Sequence, residues 1–314
     1  MPTVVAEIPA APAWVRWGAA LVRRLPVGRY RAIQRLCRRP PPPFRMRMPE
    51  ELGGCCFRCD LRDSIANEVC FTGRYEPQET ALLRAFLAPG MSFVDVGANW
   101  GYFTLLAAHQ VGRSGRVISL EPDPRLFAML SDNIARNHLS QVTAFQVAAG
   151  SESGSLTLAG FDENGGNFGL SRVVGHAHVN GLLFQVAARP LDAIFRDLQL
   201  SPVDLLKMDI EGAEGFALLG LRESLAQRRI LRILIELHPT HLLEHGQDPV
   251  DIIEQLRHFD YDPWKIDHSE RSNRWAAYQK RIDWKQVLQP LETAAPLDKW
   301  PHVLFALRGV EPAK

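Results

Sequence analysis

Apolar and polar residues change their rhythm twice along this chain. Trp14, Trp17, Leu21 and Leu25 recur at spacings of three and four, and after Pro26-Val-Gly28 the pattern resumes through Tyr30, Ile33 and Leu36/Cys37. This predicts two short amphipathic helices within 12–39. Pro40 to Pro43 then read as a stiff extended linker. Residues 44–75 read as short strands, because Phe44 to Met48 alternates and Gly53-Gly54 signals a turn. From residue 77 short apolar runs alternate with helical patterns. Strands are expected at 91–96, 116–121, 142–147, 203–208, 230–237, 261–266 and 302–307, and helices at 79–87, 101–110, 124–138, 213–222 and 249–259. Such alternation predicts a mostly parallel sheet covered on both faces, a doubly wound α/β fold. Between 153 and 190 the rhythm is interrupted by a Gly/Asn-rich loop flanked by strands at 155–158 and 183–187. The expected organisation is a basic helical extension with its proline linker (1–43), a short β element (44–76) and the main α/β domain (77–314).

Composition adds little until charge is located. The 314 residues are 46% apolar and 23% charged, ordinary for a globular protein. The sequence has no apolar run of ~18 residues, no leader pattern at its start, and five cysteines, an odd number; these features point to a reduced, cytoplasmic protein. The net charge of +1 conceals a split: residues 1–47 hold ten arginines and one acid, Glu7, a net +9, so the rest carries −8. The extension is expected to pack on the main domain. A basic face bearing tryptophan also suits weak peripheral contact with a membrane or a protein through residues 12–39. Nucleic acid is disfavoured, since no reading element follows. Cys55, Cys56 and Cys59 with Cys70 lack the second ligand pair of a structural zinc site and are expected to be buried strand thiols.

The candidate chemistry begins where the first strand of the main domain runs into Asp95-Val-Gly97-Ala98-Asn99-Trp-Gly101. Gly97 permits a sharp turn close to a ligand, and Gly101 lets a helix begin against it. Amides at that helix start could receive polar ligand atoms. The spacing is neither the G-x-G-x-x-G of dinucleotide enzymes nor a phosphate loop, and Asp95 would repel a pyrophosphate. It suits a ligand with an ammonium group. Glu121-Pro122 ends the second strand, where a carboxylate about 20 residues past the glycine turn accepts ribose hydroxyls. A cation and a free ribose together describe S-adenosylmethionine.

The run Phe93-Val-Asp-Val-Gly-Ala-Asn-Trp-Gly-Tyr-Phe-Thr104 resembles the first motif of the FkbM family of S-adenosylmethionine-dependent methyltransferases. The resemblance continues through Glu121-Pro122, Asn133-Ile-Ala-Arg-Asn137, Lys207-Met-Asp-Ile-Glu-Gly-Ala-Glu214 and Ile235-Glu-Leu-His238, with Gly73-Arg-Tyr-Glu-Pro77 ahead of it, and spans about residues 71–266. It implies a Rossmann-like class I methyltransferase sheet of seven strands, the last antiparallel, and methyl transfer usually to oxygen. The Arg-rich N-terminus, the cysteine cluster and the insertion at 268–300 depart from the family pattern.

Ligands of a doubly wound sheet sit beyond the carboxyl ends of its strands. Asp95, Gly97, Ala98, Asn99, Gly101, Glu121 and Pro122 are therefore the candidate cofactor-binding residues. Asp209 and Glu211, after the fourth strand, and His238, after the fifth, are the candidate catalytic ones. An imidazole with its ordinary pKa near 6.5 could take a hydroxyl proton. Glu214 reads as a first-turn helix residue, Lys207 as a partner for one of these acids, and His241 and His245 as loop residues. Asp209, Glu236 and His238 could gather a divalent ion, though no metal is expected. The loop from Phe161 to Asn180, with His176 and His178, reads as a lid or acceptor site. The expected reaction is O-methylation of a small molecule or sugar. N-methylation and a non-catalytic scaffold docking through the basic N-terminus remain as alternatives, a nicotinamide dehydrogenase is disfavoured by the glycine spacing, and the oligomeric state is not legible.

Overall fold

The chain is described by a computed structural model covering residues 7–162, 166–174, 182–279, 281–292, 299 and 301–311. Helices α1 (Ala13–Arg24) and α2 (Arg29–Leu36) are followed by the hairpin β1 (Phe44–Arg47) and β2 (Cys56–Cys59), then by α3 (Ser64–Thr72) and α4 (Pro77–Phe86). The alternating region gives β3 (Ser92–Val96), α5 (Tyr102–Val111), β4 (Arg116–Leu120), α6 (Pro124–Arg136) and β5 (Val142–Phe145). A second sheet is made by β6 (Ala148–Ala149), β7 (Gly154–Ala159), β8 (Arg172–Val173) and β9 (Leu183–Arg189). After α7 (Leu191–Asp197) come β10 (Leu205–Met208), α8 (Glu214–Leu219), α9 (Arg222–Ala226), β11 (Arg232–Glu236), α10 (Pro239–Glu244), α11 (Pro249–His258) and β12 (Tyr261–Ile266). The chain closes with α12 (Glu270–Tyr278), β13 (Leu288–Pro290) and β14 (His302–Leu307).

The main sheet runs β13-β12-β14-β11-β10-β3-β4-β5. Strands β3, β4, β5, β10 and β11 pair in parallel, and β14 lies antiparallel between β11 and β12. The expected doubly wound sheet with His302–Leu307 as its antiparallel last strand is therefore present. It has eight described strands rather than seven, because Leu288–Pro290 in the 268–300 insertion adds an antiparallel edge to β12. The central strands are buried on both faces, which is why they read as near-continuous apolar runs.

The segment 44–76 is not all β: residues 64–72 form α3, and Cys70 is a helical rather than a strand thiol. Val69-Cys70-Phe71 resembles a strand by residue type, but Asp63 caps the helix by accepting from the Ala66 amide and Gly73 ends it at φ +92°. Nor does the extension have a core of its own. Val15, Ala19, Val22, Phe44, Phe57 and Phe71 share one apolar cluster with Phe93 and Leu105 of the main domain. Asn133 of α6 and Asn137, which caps its end, hold the hairpin to that domain. Arg58 N–H donates to Asn133 Oδ1 (2.8 Å), Asn133 Nδ2 donates to the Trp100 carbonyl (2.8 Å), and Asn137 exchanges both of its amide groups with the Cys56 backbone (2.6 and 2.7 Å). Phe57 stacks on Trp100 with centroids 5.1 Å apart, and Trp100 Nε1–H donates to Asp63. No helix among the described residues is long and apolar enough to cross a membrane.

Candidate active site

A cavity of about 450 Å³ opens at the carboxyl ends of β3, β4, β10 and β11. Gly97, Ala98, Asn99, Glu121, Pro122, Asp209, Glu211 and His238 all line it, as the sequence predicts for them. The second sheet and the connection between its strands β7 and β8 close one side through Leu158, Asn167, Leu170 and Val173. The lid expectation thus rests on Asn167 and Leu170; His176, His178 and the rest of 175–181 lie outside the described residues.

Gly97 sits at φ +85°, and a Cβ there would stand 1.9 Å from the Asp209 carbonyl oxygen. The turn therefore requires glycine because β10 passes directly behind it. The turn's amides are used within the protein: Gly97 and Ala98 N–H donate to the Leu120 carbonyl, and Asn99 N–H donates to Glu121 Oε2 at 2.8 Å. These three amides are not left for a ligand. Asp123 N–H donates to Glu121 Oε1, also at 2.8 Å. Each Glu121 oxygen thus holds one backbone donor and keeps further acceptor capacity toward the cavity. Burial still pushes this carboxyl up to about 8.

Asp95 and Gly101 stand behind the wall rather than in it. Gly101, at φ +100°, caps α5 against Leu130. Asp95 accepts from the Thr104 hydroxyl at 2.6 Å, its other oxygen is buried without a hydrogen-bond partner, and it pairs in register with Lys207 on β10. The cation it answers is thus an internal ammonium, and a direct contact to a ligand ammonium is not what this placement offers. Lys207 reaches Asp209 Oδ2 at 3.1 Å across the Phe103 ring. Burial alone would depress this ammonium; Asp209, Glu76, Asp95 and Glu236 overcompensate and hold it above its ordinary value.

His238 follows β11 and faces four carboxylates. Its Nδ1 lies 2.9 Å from Glu214 Oε1; its Nε2 lies 3.5 Å from Glu211, 3.6 Å from Glu236 and 3.9 Å from Asp209. Burial disfavours the charged ring, but these acids outweigh it and raise the pKa to about 9. The imidazole is thus protonated at neutral pH, not poised near 6.5. Glu214 begins α8, as expected for a first-turn acid, and also fixes the ring. Glu211, at φ +53°, is pushed up to about 7 by burial and by Asp209, Glu236 and Glu214, against His238. His241 lies on α10 rather than a loop, 3.3 Å from Glu211, and lines the cavity, whereas His245 packs on Phe216.

Behind Glu236 stands a group that sequence reasoning missed. His302 lies 3.5 Å from Glu236 and 2.9 Å from Glu79, which also meets His268 at 2.5 Å, and the two rings stack with centroids 3.8 Å apart. The sequence signals were slight, a glutamate just past Gly73–Pro77 and one histidine opening the last strand. Asp209, Glu236 and His238, and likewise Glu79, His268 and His302, could offer ligand atoms to a metal ion. In both sets these atoms are engaged by ion pairs within the chain.

These shifts set a pH dependence for the cofactor-free protein. His238, raised from 6.5 to about 9, contributes stability that is complete below about 6.5 and is lost as pH rises through 9. Glu121 and Glu211, raised from 4.5 to about 8 and about 7, hold protons that the unfolded chain has already released, so they too lower stability as pH rises through that window. Asp209, lowered, loses its contribution only in acid. Calorimetric melting temperatures should therefore fall between about pH 6 and about pH 9; a rise across that interval would contradict the assignment.

The strand order and the site beyond β3, β4, β10 and β11 define the Rossmann-like sheet of class I methyltransferases. Residues 95–263 match the methyltransferase FkbM domain, and the chain belongs to that family. Its cofactor is S-adenosylmethionine, and the glycine cradle at 97 and the Glu121 acceptors fit it. Methyltransferase 1 of Beauveria bassiana is 32% identical over 149 residues, covering 42% of this chain and 59% of that protein. Methyltransferase sdnD of Sordaria araneosa is 30% identical over 156 residues, covering 41% and 60%. A crystal structure of methyltransferase FkbM from Methylobacillus flagellatus covers 93% of this chain and 60% of its own at 17% identity, with a TM-score of 0.41. The matches with this chain thus cover about three fifths of each of these proteins.

Proposed function

We propose that this protein methylates a hydroxyl group of a small molecule or sugar, with Glu211 receiving the proton. The observation that carries this reading is a carboxyl group in the cavity wall with its pKa near 7, flanked by an imidazole that is already charged. A base works best when its pKa lies near the operating pH, so Glu211 suits the task better than His238 at about 9. When bound, S-adenosylmethionine supplies an electrophilic methyl on a sulfonium and leaves as a neutral thioether. Asp209, held ionised by Lys207 and His238, adds negative charge to the wall that faces such a cation. Glu121 takes the ribose, and Gly97 keeps the backbone clear. His238 orients Glu211 and is itself held by Glu214. The work left to the protein is positioning and removal of one proton.

The test is incubation with methyl-labelled cofactor and a panel of sugars, polyketides and lipids. Label is expected in a methyl ether, with Glu211→Gln lowering kcat by about 100-fold to 10,000-fold while the cofactor Kd stays within a few-fold. Label on nitrogen, or cofactor binding without transfer to any acceptor, would overturn the proposal.

A further inference from the structure

Helix α1 buries Val15, Ala19 and Val22 against α3. Its second apolar row, Trp14, Trp17 and Leu21, is turned outward. Trp17 is 77% exposed, Leu21 64% and Val27, just past the helix, 75%. Two tryptophans and a leucine left in water on one short helix, with Val27 just beyond it, make an unpartnered face. Its surroundings carry one sign of charge. No acid lies between Glu7 and Glu50, whereas ten arginines do. Arg16, Arg24, Arg31, Arg35, Arg38 and Arg39 are exposed, and among the described residues no acid pairs with them.

We propose that this face is a docking surface for an anionic lipid bilayer. The charge complement selects the occupant. A second copy seated on the same face would set arginine against arginine across a two-fold axis. Headgroup phosphates supply the missing negative charge, and the acyl boundary receives indole and leucine, the combination used by helices that lie in the membrane interface. No described helix is long enough to span a bilayer, so the contact is peripheral. The opposite face of α1 stays bound to the protein core, and α3 contributes Ile65 to the cavity wall. Docking would therefore hold the catalytic cavity near the membrane plane.

Vesicle flotation of the full chain tests this. Vesicles of phosphatidylcholine with about 30% phosphatidylglycerol should carry the protein, and phosphatidylcholine alone should not. Raising salt from about 0.1 M to about 0.5 M should release most of it. The double variant Trp17→Ser/Leu21→Ser, and separately Arg24→Gln/Arg31→Gln/Arg35→Gln, should each weaken binding at least about tenfold. Melting temperature and cofactor Kd serve as controls for folding, since none of these side chains lines the cavity. Absence of flotation with either lipid would overturn the proposal. So would undiminished binding by a folded variant, or a dimer in solution that Trp17→Ser/Leu21→Ser converts to monomer while the wild type ignores vesicles.

Discussion

Gly97→Ala is expected to abolish cofactor binding while leaving much of the fold in place. Two costs coincide at this position. The residue sits at φ +85°, where a side chain is strained. The new methyl would also stand 1.9 Å from the Asp209 carbonyl oxygen, a backbone atom that cannot rotate away. Together the strain and the overpacking should cost about 3–5 kcal/mol in denaturant unfolding, within the range a domain can survive. Relief can come only by moving β3 and β10 apart, which displaces Asn99, Asp209 and Glu211 from the cavity wall. Calorimetric titration with S-adenosylmethionine should show affinity lost by at least about 100-fold. Gly90→Ala is the control. Gly90 has nearly the same φ, +89°, but its nearest neighbour is the Ser114 hydroxyl at 3.9 Å, so it should cost only about 1 kcal/mol. Equal losses in the two variants would show that backbone strain, not the crossing of β10, sets the requirement.

Lys207→Met should destabilise the protein by about 3–5 kcal/mol at pH 8, with a pH signature that distinguishes charge from packing. Methionine keeps most of the volume and its contact with Phe103. What disappears is an ammonium facing Asp95, Asp209, Glu76 and Glu236, all of which raise its pKa. Their mutual repulsion then falls on buried groups. They answer by taking up protons, so the folded variant binds more protons than the wild type and loses stability as pH rises. Urea unfolding should show the deficit shrinking toward pH 5. A deficit constant from pH 5 to pH 8 would instead point to lost packing.

Much of the fold was legible because the central strands are covered on both faces. Phe93 to Val96 and Leu205 to Met208 read as strands by composition alone, since neither face meets water. The short helices α7 and α10 leave little signal because a helix of six or seven residues makes fewer than two turns and shows no repeated period. Helix α3 is hidden because Val69, Cys70 and Phe71 are strand-like by residue type and its start is marked only by the Asp63 cap. Position along the chain was enough to bring Gly97, Glu121, Asp209, Glu211 and His238 to one cavity. Charge state could not be read in that way. The raised pKa of His238 follows from four carboxylates, three of them within residues 209–214 and one at the end of β11, and that Asp95 answers Lys207 follows from the β3–β10 register.

The asparagine clamp on the N-terminal hairpin bears on how the protein is made. Cys56 and Arg58 find their partners 81 and 75 residues later, and Arg29 bonds to Ala277, 248 residues away. At ribosomal speeds of roughly 5–20 residues per second, the hairpin waits about 4–16 s for α6. Over that interval Phe44, Phe57 and Phe71 have no core to enter. The hairpin thus leaves the ribosome well before the residues that secure it, and its aromatic side chains stay exposed in the meantime.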